Sequence, residues 1–164
     1  MSGDRSSGPA SVLLRATLLR YLEAHHVMTL ATSQPWAAAV FYVNDDFTLY
    51  FLSSPRSRHA QHLASDSRVA ATVHEDYGDW REVKGVQLEA TVRPVVQSDI
   101  ARVRGLYARK FPVIGERGAV VAPLVEALSR IQWYEVKPQG IYFIDNAAGF
   151  GHRDFIDLGG QGPV

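Results

Sequence analysis

The chain has 164 residues, 46% apolar and 21% charged, which is enough for one globular core without staples. Seventeen basic residues balance seventeen acidic ones, so no broad electrostatic grip on nucleic acid or an anionic membrane is expected. The absence of cysteine excludes disulfides, thiolate zinc sites, iron–sulfur clusters and a thiol nucleophile.

Residues 1–10 are small and polar and read as a disordered tail. They lack the apolar centre of a secretion signal, and no apolar run approaches the roughly 20 residues that span a bilayer. A cytoplasmic protein is expected. Ser11 is placed to cap a helix running to Ala24, with Leu14, Leu18, Tyr21 and Leu22 on one face. From Val27 the period changes, and 27–32 reads as a strand. Ser33-Gln34-Pro35 is a turn. Trp36 to Val43 is apolar almost throughout, which predicts a strand covered on both faces. One barrel covers only one face, so a symmetric homodimer is expected to cover the other. Asn44-Asp45-Asp46 is a hairpin signal, and Phe47 to Ser53 returns.

The next stretch carries the strongest chemical signal. Leu49-Tyr50-Phe51-Leu52 is a strand that ends at Ser54-Pro55. Ser54 suits an N-cap and Pro55 a first helical position. The helix then has Ala60, Leu63 and Ala64 on one face, with Arg56 and Arg58 near its start. Free backbone N–H groups, two hydroxyls and two guanidinium groups are what an anion such as phosphate requires. A capped surface helix with solvated arginines has the same pattern.

Further on, Arg68 to His74 alternates, with Val69, Ala71 and Val73 facing one way. Lys84 to Val96 alternates too: Val86, Leu88, Ala90 and Val92 oppose Gln87, Glu89, Thr91 and Arg93. Ser98 is placed to cap a helix that buries Ile100, Val103, Leu106 and Tyr107. A second helical segment is expected near Pro123 to Ser129. A last strand covers 131–136 and 140–144, and Lys137-Pro138-Gln139-Gly140 suits a bulge at a sheet edge. Many short strands with few helices predict a β-barrel with helical decoration.

Other clusters carry less. His59 and His62 are three apart, a possible metal pair with no third ligand in sight. His25-His26 suits a helix end. Asp76 and Asp79 read as loop residues, and Ser53-Ser54 has no base paired with it in the sequence. Trp133 and Tyr134 read as core residues or dimer contacts. His152 and Arg153 follow Gly149-Phe150-Gly151, either as a tail or as cleft residues.

The order of Val27-Met28-Thr29-Leu30-Ala31-Thr32, Leu49-Tyr50-Phe51-Leu52-Ser53, Ser57-Arg58-His59-Ala60, Arg68-Val69-Ala70, Lys84-Gly85-Val86-Gln87-Leu88-Glu89-Ala90 and Pro138-Gln139-Gly140-Ile141 resembles the pyridoxamine 5'-phosphate oxidase-like family of FMN-binding split barrels. The resemblance implies a mainly β protein with helices, a six-stranded antiparallel split barrel over residues 11–158, with 159–164 as a tail. It further implies a homodimer with FMN in a cleft between subunits and a small-molecule substrate. By the same resemblance, Arg58 would bind the flavin phosphate with Ser57 and Arg56, and His59 stands where the oxidase has lysine. Leu52 and Ser53 match a backbone and hydroxyl contact. Ala37, Ala38, Ala39, Val40 and Tyr42 match the strand beneath the flavin ring, with Ala37 and Tyr42 replacing basic residues of the oxidase. Lys84 falls near a cofactor-binding glutamine, and His152 and Arg153 echo the substrate motif. These departures point to a poorly characterised member and not to the true oxidase. The expected activity is FMN-dependent oxidation or reduction of an unidentified small molecule, with no catalytic residue assigned. The alternative is a non-enzymatic flavin- or haem-binding protein; some relatives take haem or a deazaflavin.

Overall fold

The computed structural model describes residues 9–112 and 130–159. Helix α1, Pro9–Ala24, opens the described chain and begins two residues before Ser11. Proline suits a first helical turn, since its missing N–H has no partner there. The expected face is the buried one: Leu18 and Leu22 are fully covered, and Leu14 and Tyr21 pack against the same core.

Strands β1 (Val27–Thr32), β2 (Trp36–Asp45) and β3 (Thr48–Ser53) form a meander. The hairpin between β2 and β3 turns at Asp46, which takes a positive φ of 51°, a conformation that Asp tolerates better than most side chains. Helix α2 (Arg58–Ser65) follows, then β4 (Arg68–His74) and β5 (Lys84–Pro94). Helix α3 (Ile100–Lys110) leads towards β6 (Gln132–Asp145), and β7 (Arg153–Asp157) ends the described chain. The helix expected over 123–129 lies outside the described residues.

All pairings are antiparallel, in the order β3-β2-β1-β4-β5-β6-β7. The amino-terminal part of β6 also pairs with β3, from Leu49↔Val136 to Ser53↔Gln132, and this closes six strands into a barrel. The six-stranded antiparallel barrel with helices is thus the observed fold. The inward rows are those the alternation predicts: Val69, Ala71 and Val73 on β4, and Val86, Leu88, Ala90 and Val92 on β5, are all buried. They join Met28, Leu30, Tyr42, Leu49, Phe51 and Ile141 in one core. Helix α3 covers a second cluster, in which Val43, Tyr50, Val103 and Tyr107 meet on the outside of β2 and β3.

Several local expectations are corrected. β6 is continuous through Pro138, and its irregularity sits within the sheet and not at an edge. Glu89 pairs Gly140 while Ala90 pairs Pro138, leaving Gln139 as the extra residue of a bulge. Residues 153–157 form a real strand on β6, from Gly140↔Asp157 to Ile144↔Arg153. Ser98 lies in a short 3-10 turn, Gln97–Asp99, ahead of α3. Trp133 and Tyr134 need no correction, since packing within the chain is one of their two expected roles: Trp133 is edge-on to Tyr107, and Tyr134 stacks on Phe51 at 4.9 Å. The apolar strand β2 is covered on its inner face, but Phe41 remains 57% exposed on the outer one.

Candidate functional site

The strand-to-helix turn after β3 is built differently from the sequence expectation. Ser54 caps a turn, accepting from the Arg56 amide at 3.2 Å, and the helix cap lies three residues later. Ser57 is the N-cap: its backbone is extended and its Oγ accepts from the Ala60 amide at 3.3 Å. Arg58 and His59 are therefore the first two helical residues. Their amides have no partner inside the helix and lie at the positive end of its dipole.

Three polar side chains converge here from two elements. His59 Nε2 lies 2.7 Å from Ser53 Oγ and 3.1 Å from Ser57 Oγ, and the two hydroxyls are 3.1 Å apart. Burial, reinforced by nearby His62, pushes the His59 imidazole below the ordinary histidine range. A neutral ring accepts from one hydroxyl through Nε2. Ser53 thus does have a base beside it, which the sequence did not pair with it. Among the described residues, however, no carboxylate accepts from His59 Nδ1.

The arginines separate. Arg58 stacks its guanidinium over Trp36, with Cζ 4.3 Å from the ring centroid. Arg56 is exposed on the turn. The two histidines separate as well. His59 points to the serines, while His62 is buried and its Nδ1 meets Thr32 Oγ1 at 2.9 Å. They do not form a metal pair. His62 also takes the place expected of Ala64, which is exposed.

The remaining candidates divide by the pleat and by position along the barrel. On β2, Ala37 and Ala39 face outward and are exposed, whereas Ala38 and Val40 face inward. Tyr42 is fully buried, and its hydroxyl donates to the Leu22 carbonyl at 2.8 Å, so its side chain belongs to the core. Leu52 lies half-buried beside Ser53 and packs towards the α3 cluster. Lys84, His152 and Arg153 lie elsewhere. Lys84 pairs with Asp145 at 3.3 Å, the Asp145 amide bonds the His152 carbonyl, and His152 Nε2 lies 3.0 Å from Asp154. This group sits beyond His74, at the other end of β4 from the Thr32–Trp36 pair. Seven extended residues put roughly 20 Å between the two ends. One chain thus presents two polar groups and not one site. A shallow depression of about 430 Å³ opens beside the first, over Ala31, Ala70 and Glu89.

Sequence reasoning missed Trp36 and Thr32, and it weighed His62 only as a metal partner of His59 and not as the buried partner of Thr32. The signal for His62 was available, since Arg58 and His62 are four apart and share one helix face.

A closed six-stranded antiparallel barrel, with a hydroxyl–imidazole cluster where β3 passes into α2 and Arg58 held over Trp36 at the start of the same helix, defines a split-barrel protein with a candidate anion site. The pyridoxamine 5'-phosphate oxidase family profile matches residues 14–145, and the chain belongs to that family. A UPF0306 protein of Klebsiella pneumoniae is 33% identical over 143 residues, covering 84% of this chain and 89% of that protein. Two solved structures share the fold at low identity. A haem-binding protein from Mycobacterium smegmatis matches with a TM-score of 0.65 and 18% identity over 84% of this chain. This chain spans 55% of that one's length. An FAD-binding protein from Mesorhizobium loti matches with a TM-score of 0.60 and 15% identity, over 77% of this chain and 90% of that chain. Among the described residues, no helix is long and apolar enough to cross a membrane.

Proposed function

We propose that this protein binds FMN through the cluster at the start of α2 and uses it in a redox reaction of a small molecule. The observation that carries this reading is the convergence of Ser53, Ser57 and His59 beside Arg58 and the open amides of α2. The donor set suits a phosphate monoester. Arg58 offers an in-plane N–H edge, the amides of Arg58 and His59 add aligned dipoles, and the hydroxyls of Ser53 and Ser57 reorient as donors. His59 in its neutral form accepts from one of these hydroxyls, and Nε2 becomes a donor only when the ring is protonated. The outward alanines Ala37 and Ala39 leave room for a planar ring close to the backbone of β2. When bound, the flavin supplies the electron-transfer chemistry, and the chain supplies binding, orientation and exclusion of water.

The second polar group enters through assembly. Lys84, His152 and Arg153 are too far from Arg58 to meet the same small ligand within one chain. A homodimer that pairs the exposed face of β1 and β2 would let two copies contribute to one cleft. The two separated groups support this reading, as does the exposed Phe41.

The test is spectroscopic and then quantitative. The purified protein should carry or take up a yellow cofactor with the two visible bands of an oxidised flavin, and mass spectrometry should identify what is released. Arg58→Ala should weaken FMN about ten- to hundredfold, from one or two lost charge-assisted bonds of about 1.5–3 kcal/mol. Riboflavin, which lacks the phosphate, should change far less. Equal losses for the two flavins would place the phosphate elsewhere. Haem is the second reading, favoured by the haem-binding protein of the same fold and by the histidine in this cluster. A Soret band in the purified protein would select it.

A further inference from the structure

The least expected contact in the site is between Arg58 and Trp36, which come from different elements. Trp36 opens β2 and is 39% exposed, and the Arg58 Cζ lies over its ring, 4.3 Å from the centroid. A stacked guanidinium uses only its π face, so its N–H groups remain free in the plane. Among the described residues Arg58 forms no ion pair.

The pair is held on both sides. Trp36 is the register partner of Thr32 at the β1–β2 turn. Thr32 Oγ1 donates to the Gln34 carbonyl at 2.6 Å, which leaves its lone pairs for His62 Nδ1–H at 2.9 Å. His62 is buried one helical turn after Arg58, on the same face. The circuit Trp36–Thr32–His62–Arg58 thus closes through one turn of α2. Two contacts fix the helix on the β1–β2 turn, one buried and polar, the other an aromatic stack at the surface. A long arginine side chain free in solvent would lose rotamer entropy on gripping an anion. A stacked one has lost part of it already.

We propose that Trp36 is a positioning residue of the anion site: its ring holds the Arg58 guanidinium so that the free N–H edge faces a phosphate monoester. The inference rests on the flavin-phosphate reading above and adds to it the residue that sets the affinity of Arg58. Trp36 acts on the phosphate only through Arg58, which gives a signature that simple packing would not.

FMN and riboflavin are titrated by flavin fluorescence against the full-length wild type, Trp36→Leu, Trp36→Phe, Arg58→Ala and the Trp36→Leu/Arg58→Ala double variant, with melting curves as the fold control. Trp36→Leu should weaken FMN about three- to tenfold and leave riboflavin within about twofold, a range that follows from stacking at a half-exposed site. Trp36→Phe, which keeps a weaker π face, should fall between. The double variant should bind FMN no worse than Arg58→Ala alone. If Arg58→Ala loses FMN selectively while Trp36→Leu does not, the positioning role is wrong and the phosphate reading stands. Equal losses of both flavins in Trp36→Leu would overturn the role too, because Trp36 would then touch the ring. If Arg58→Ala shows no preference between the flavins, the phosphate reading fails and takes this inference with it.

Discussion

His62 Nδ1 meets Thr32 Oγ1 at 2.9 Å, and both side chains are buried. This bond ties α2 to the end of β1 at a point where the barrel wall would otherwise carry an apolar pair. Thr32→Val keeps the shape and removes the acceptor, so a buried imidazole N–H is left without a partner. The cost should be about 1–3 kcal/mol, the usual penalty for such a group. Urea denaturation with an unchanged m-value would measure it. A variant as stable as the wild type would mean that water replaces the threonine and that α2 is held mainly by Ala60 and Leu63.

Ala38 and Ala39 are adjacent on β2 but face opposite sides of the wall. Ala38 pairs with buried Leu30 and points inward, so Ala38→Trp should overpack the barrel, costing about 1–3 kcal/mol or more. Ala39→Trp should leave folding nearly intact and block flavin binding if the ring lies on the outer face. Melting curves and flavin titration separate the two effects. Normal flavin binding by Ala39→Trp would remove β2 as the ring platform.

The contrast between these two alanines shows what the sequence makes legible. Alternation places side chains on faces wherever one face is clearly polar. Val86, Leu88, Ala90 and Val92 were therefore readable, with Gln87, Glu89 and Arg93 opposite them. In β2 both faces are apolar, so the strand was legible but not the direction of Tyr42, which turns out to serve the core. The helix start was mislocated by three residues because Ser54-Pro55 and Ser57 both carry cap chemistry, and tertiary contact to Ser53 decides between them. β7 was missed because it is five residues long, follows a glycine-rich turn and has its hydrogen-bond partner supplied wholly by β6. The clustering of Ser53, Ser57 and His59 was half legible, since their spacing is local. The Arg58–Trp36 stack was not legible, because it depends on how the β1–β2 turn folds back.

Lys110 Nζ donates to the Leu22 carbonyl at 2.9 Å and lies 4.2 Å above the Tyr42 ring. Burial lowers its pKa to about 8, although the Glu23 charge opposes the shift. Between pH 8 and the ordinary lysine value the unfolded chain therefore binds more protons than the folded one, and stability from this group rises with pH. Below pH 8 the cost of the buried charge is constant. Lys110→Met should flatten that rise and gain about 1 kcal/mol at pH 7. This is well below the full value of the shift, because the lysine is only partly buried and its cation–π contact is lost. The Leu22 carbonyl keeps its bond from Tyr42 at 2.8 Å, so no acceptor is stranded. Thermal unfolding of both proteins from pH 7 to 10 reads the difference. Parallel curves would show that Lys110 titrates like a solvated lysine.

The outer face of β1 and β2 pairs Val27 with Phe41, Thr29 with Ala39 and Ala31 with Ala37. Val27 and Phe41 are 42% and 57% exposed, an apolar pair beside the small side chains of Ala37 and Ala39. A second copy laid on this face would bury both, and a stable dimer needs about 800 Å² per partner. Light scattering should therefore give about twice the 18.2 kDa chain mass at micromolar concentration. Val27→Asp or Phe41→Asp puts a charge on the most exposed apolar pair of that face, at one end of the β1–β2 ladder, and should yield monomer. Phe41 also packs edge-on to Phe111, so the Val27 variant is the cleaner of the two. The assembly prediction is coupled to the cofactor. If Lys84, His152 and Arg153 of one copy complete the site begun by Arg58 of the other, the monomeric variants should lose FMN along with the dimer. Monomeric variants that bind FMN at wild-type strength would confine the site to the Arg58 end of a single barrel.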